Sequence, residues 1–63
     1  MSTIRDILSS FGIDKDDIAA VIKLIGTTSD KVKIIDIVMG EIGECGYELE
    51  TQEMILEELN NKL

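Results

Sequence analysis

The 63-residue sequence contains no histidine, no proline and no tryptophan, and only one cysteine, one phenylalanine and one tyrosine. Without histidine, a Ser-His-Asp triad, a Cys-His pair and a His-bearing zinc site are all excluded within the chain. A lone Cys45 cannot close an intrachain disulfide, the usual staple of small secreted domains. Its acidic neighbours Glu44 and Glu48 raise a thiol pKa rather than lower it, so Cys45 reads as unreactive. No apolar run approaches the roughly 18 residues of a membrane span. The opening Met-Ser-Thr-Ile-Arg-Asp lacks the apolar core of a signal peptide, so a cytoplasmic location is the expectation.

What the chain does hold is aliphatic carbon and negative charge. Hydrophobic residues make up 44%, eleven of them isoleucine, and charged residues 30%. That composition suits one small core in a single domain spanning residues 1–63. The net charge is −7, with a pI near 4.2. It is uneven along the chain. Up to residue 33, Arg5, Lys15, Lys23, Lys31 and Lys33 balance Asp6, Asp14, Asp16, Asp17 and Asp30. Beyond it, Lys62 alone faces Asp36 and all seven glutamates, so the whole −7 falls in the second half of the sequence. A field of one sign repels nucleic acid and steers basic partners.

Four amphipathic segments follow, punctuated by Gly, Ser and Thr. In 3–11, Ile4, Ile7, Leu8 and Phe11 repeat at helical spacing, with Thr3 as cap and Gly12 as a left-handed stop. In 15–25, Asp14 is placed to cap a helix whose stripe is Ile18, Val21, Ile22 and Ile25, before Gly26. In 30–45, Thr28, Ser29 or Asp30 caps a helix built on Val32, Ile35, Val38, Met39 and Ile42. Ile34 and Ile37 widen its apolar face enough to suggest a homodimer or an obligate complex. The β-branched residues of 32–38 allow a strand as the competing reading. In 51–62, Thr51 is the expected cap and Ile55, Leu56, Leu59 and Leu63 the stripe. The fold class expected is all-α, a small bundle of three to four helices.

The carboxylates invite site readings. Asp14-Lys-Asp16-Asp17 opens like a calcium loop, but Ala19 stands where that loop needs Gly and Ile25 where it needs Glu. A paired-carboxylate hydrolase needs a cleft that so short a chain has little volume for, and no enzyme activity, cofactor or metal is expected. The acidic residues that point somewhere are Glu50, Glu53 and Glu57, in one row along the last helix, with Glu41, Glu44 and Glu48 just upstream. They lead to the expectation of a small acidic helical protein acting by protein–protein interaction. It would be an inhibitor or adaptor on the basic surface of a larger protein, in the manner of small phage-type inhibitors. Direct contact with nucleic acid or membrane is not expected.

From Leu24 to Met54, the run Leu-Ile-Gly-Thr-Thr-Ser-Asp-Lys-Val-Lys-Ile-Ile-Asp-Ile-Val-Met-Gly-Glu-Ile and the later Tyr-Glu-Leu-Glu-Thr-Gln-Glu-Met resemble the second half of an acyl carrier protein. The resemblance implies a carrier modified with phosphopantetheine on Ser29, with Asp36, Glu41 and Glu44 on its recognition helix. The attachment motif is degenerate, since Thr28 stands where the family has Asp and Asp30 where it has Leu. Aligning the helix periodicity puts Thr28 at the attachment position.

Overall fold

Asp30 settles how the β-branched stretch folds. In a computed structural model, which describes residues 3–63, its carboxylate accepts hydrogen bonds from the Val32 and Lys33 amides at 2.9 and 3.3 Å. Two otherwise orphaned donors of a helix N-terminus are satisfied there, and Val38 and Ile42, one turn apart, are buried on the same face. Helix formation wins over the strand propensity of 32–38, because tertiary burial of an i, i+4 pair outweighs a weak local preference. The elements are α1 (Thr3–Ser10), α2 (Lys15–Ile25), α3 (Lys31–Glu44) and α4 (Leu49–Lys62), with no strand among the described residues.

The capping expectations are corrected in three places. Thr3 lies inside α1 rather than ahead of it. Asp14 does occupy the N-cap position of α2, but its side chain makes no capping bond. α4 starts at Leu49 with Glu48 before it, so Thr51 lies within the helix. Gln52 supplies the physical reason. Its side-chain amide donates to the Tyr47 carbonyl at 2.8 Å and its backbone amide to Glu48 O at 3.0 Å, which draws the first turn of α4 back toward Tyr47.

The core is formed by Ile7, Leu8, Ile13, Ile18, Val21, Val38, Ile42, Ile55 and Leu59. Ile13 belongs to the α1–α2 connection. Gly12, at φ +79°, closes α1 with a left-handed turn, and the Ile13 amide then donates back to Leu8 O at 3.1 Å, folding the side chain inward. Gly46, at φ +84°, makes the left-handed turn between α3 and α4, its amide donating to Gly43 O at 3.3 Å.

The helices pack as a closed ring. α1 lies against α2 and α4, α3 lies against the same two, and the diagonal pairs do not pack. The apolar face of α3 is narrower in use than its sequence suggests. Ile34, Ile35, Ile37 and Met39 are half-buried on its flanks, and Val32 is exposed. The uncovered apolar side chains concentrate on α4 and its C-cap instead: Leu49, Met54 and Leu56 on the helix and Leu63 just after it. Leu56 thus belongs to the exposed side of α4, whose buried pair is Ile55 and Leu59, and Leu63, the C-cap, is exposed as well.

Candidate functional site

Tyr47, in the α3–α4 connection, ties two distant parts of the chain together. Its hydroxyl accepts the Asp14 amide N–H at 3.0 Å and donates to Asp17 Oδ2 at 2.7 Å. The start of α2 and the end of α3 therefore share one end of the bundle. At the opposite end, Lys31 Nζ reaches the Asn60 carbonyl at 3.0 Å, joining the start of α3 to the end of α4.

This antiparallel arrangement sorts the charge by end. At the Tyr47 end are Asp14, Asp16, Asp17, Glu41, Glu44, Glu48, Glu50 and Glu53, with Lys15 as the one cation, a balance of −7. Toward the other end Arg5, Lys23, Lys31, Lys33 and Lys62 balance Asp6, Asp30, Asp36, Glu57 and Glu58. The division by sequence half is thereby replaced by a division in space. The aspartates of 14–17, which the sequence did not connect with the glutamates, join them. The signal that would have found them is the pairing of the two connections through Tyr47, which no local pattern carries.

Two titratable groups register the crowding. Partial desolvation pushes the thiol of the exposed Cys45 up, and the carboxylates of Asp17, Glu41 and Glu44 add to it, to about 11. The thiol lies 3.9 Å from Glu41 Oε2, a long contact for sulfur. The Asp14 amide lowers the Tyr47 pKa, but the bond to Asp17, desolvation and the charges of Asp17 and Asp14 outweigh it, so the net direction is upward. Among the described residues no group of three His, Cys, Asp or Glu side chains is placed to hold a metal ion.

The sequence-predicted partner residues are distributed as follows. Glu44, Glu48, Glu50, Glu53 and Glu57 are exposed, and Glu41 is half-buried beside Cys45. Glu50, Glu53 and Glu57 project from the side of α4 opposite Ile55 and Leu59, because at about 100° per residue they fall within one narrow arc. Glu58 lies off that row and forms the ion pair of α4, 3.5 Å from Lys62. The three row glutamates enter no ion pair among the described residues. Glu57 extends the row away from the acidic end toward the Lys62 end.

Ser29 is exposed, just ahead of the cap residue Asp30, and takes no part in a helix. Its neighbour Thr28 is half-buried and lines a cleft of about 290 Å³ with Ile4, Ile22, Ile25 and Ile34, rimmed by Arg5. No helix among the described residues is long and apolar enough to cross a membrane. Comparison with protein-family models, with curated proteins and with solved structures finds no match for this chain.

Proposed function

We propose that this protein acts by binding a larger protein, presenting its acidic end and the Glu50-Glu53-Glu57 row to a basic surface. The observation that carries the reading is the balance of −7 gathered at one end of a bundle whose other end is neutral. A uniformly solvated surface has no need of such sorting. A one-sided field raises encounter rates with a cationic patch and rejects like-charged competitors. Nothing in this role requires a cofactor or a reaction.

The test is surface plasmon resonance against a partner captured from the native host, at two salt concentrations. Reversing Glu50, Glu53 and Glu57 to Lys is expected to lower the association rate at least tenfold and to flatten the salt dependence. The helical circular dichroism should be unchanged. Association at the wild-type rate would overturn the reading.

A carrier role is the second reading. The exposure of the Ser29 hydroxyl, next to a residue that lines an apolar cleft, favours it. Co-expression with a phosphopantetheinyl transferase tests it. A gain in intact mass that Ser29→Ala abolishes supports the carrier, and an unchanged mass removes it.

A further inference from the structure

Leu49 is 75% exposed and Leu56 38% exposed on a helix that already buries Ile55 and Leu59, and Leu63, also 38% exposed, continues the helix as its C-cap with its amide on Leu59 O at 2.9 Å. A single exposed leucine is ordinary; three in phase are not. With a separation of seven residues they fall within about 40° of arc, one every two turns and about 10.5 Å apart along the axis. Gln52 lies between this line and the buried pair. Its Oε1 sits over Gly43, 3.6 Å from where a β-carbon would stand, so the leucine line follows the outer edge of the seam between α3 and α4. Exposed Val32 is at the far end of the same seam, next to Lys31, which reaches Asn60.

The glutamate row runs parallel to the leucine line. Glu53, Glu57 and Glu50 begin about 60° further round the helix, away from the core. The outer face of α4 therefore carries an apolar rail and an anionic rail side by side along its length. A second copy of the chain is a poor occupant, because facing α4 helices would bring two glutamate rows and two charges of −7 together. An anionic membrane or a nucleic acid meets the same repulsion.

Building on the binding role above, we propose that the outer face of α4 is the seat of a basic amphipathic helix contributed by the partner. Apolar residues at a spacing of seven in that helix rest along Leu49, Leu56 and Leu63. Lysines or arginines on its adjacent flank face Glu50, Glu53 and Glu57. The apolar contact supplies residence time, and the charges supply orientation and encounter rate.

The experiment uses three fluorescent peptides of about 20 residues, long enough to span α4. One is a leucine–lysine amphipathic helix with leucines seven apart, the second its scramble of equal charge, and the third its glutamate counterpart. Anisotropy titration of the whole protein should show the first binding at least tenfold tighter than the scramble, and the third not at all. Leu49→Ser and Leu56→Gln should each remove most of that preference while leaving the weak, salt-sensitive binding of the scramble intact. Amide shifts in ¹⁵N spectra should concentrate on residues 49–63. If helix and scramble bind alike, or the shifts fall elsewhere, the seat is overturned and the charge-based reading stands. If no basic peptide binds, that reading fails as well. A dimer whose dissociation is driven by Leu49→Ser would name a second copy as the occupant and overturn the proposal.

Discussion

The Tyr47 hydroxyl donates a 2.7 Å hydrogen bond to Asp17 while it accepts the Asp14 amide, and this pair of bonds joins the α3–α4 connection to the start of α2. Removing the hydroxyl leaves the Asp14 amide and the Asp17 carboxylate to find water instead. Tyr47→Phe is expected to lower the melting temperature by roughly 5 °C at neutral pH, measured by circular dichroism.

The same bond makes stability sensitive to alkali. Folding raises the Tyr47 pKa above its ordinary value near 10.0. A raised folded-state pKa contributes stability that is fully present below the unfolded value and is lost as pH rises through the folded one. Cys45, raised to about 11, acts in the same direction. Melts between pH 8 and pH 12 should show a fall that begins near pH 9, where Cys45 starts to ionise in the unfolded chain, and continues above pH 10 with Tyr47, shallower in the Tyr47→Phe variant carrying Cys45→Ser. Parallel pH profiles would show that neither group is linked to folding.

Cys45 should alkylate slowly despite its exposure. A rise from 9.0 to about 11 lowers the thiolate fraction at neutral pH about a hundredfold. The more basic thiolate recovers roughly tenfold of this in nucleophilicity. Iodoacetamide at pH 7.5 is therefore expected to modify the folded protein about tenfold more slowly than the urea-unfolded chain. Asp17→Asn should narrow the gap. Equal rates in folded and unfolded protein would contradict the assigned environment.

Truncation at the centre of the core should be severe. Leu8 and Leu59 have no solvent exposure. Leu59→Ala removes buried carbon and leaves a cavity, at a cost of about 2–5 kcal/mol. That approaches the whole stability that a single core of this size supplies. The variant should be largely unfolded at 37 °C by circular dichroism.

The capping assignments separate cleanly in urea melts. Asp30→Ala loses two bonds to backbone amides and should cost about 1 kcal/mol. Asp14→Ala and Thr51→Ala remove no capping bond, and each should lie within about 0.5 kcal/mol of wild type.

Much of the fold was legible because it is written in local periodicity. Ile7, Leu8, Ile18, Val21, Val38, Ile42, Ile55 and Leu59 all occupy stripe positions that a 3.6-residue repeat picks out. Ile13 was not legible, because it belongs to no helix and is buried by the turn at Gly12. The start of α4 was missed for a similar reason: Gln52 bonds to Tyr47 across a turn, while Thr51 has the composition of a cap and not its position. Of the candidate site, the Glu50-Glu53-Glu57 row follows from spacing within one helix. The share of Asp14, Asp16 and Asp17 in the acidic end does not, since it depends on which connections meet, and that is decided by the ring order of the helices.

The unequal charge of the two ends gives the molecule a permanent electric dipole directed along the bundle. Such a body feels a torque as well as a pull in the field of a cationic surface. It turns its Tyr47 end forward while still several ångströms away, within the roughly 8–10 Å over which charges remain unscreened at physiological salt. On the proposed binding role, part of the orientational search that limits protein association would thus be completed before contact. Neutralising residues at the acidic end would lengthen that search even where the contact surface itself is untouched.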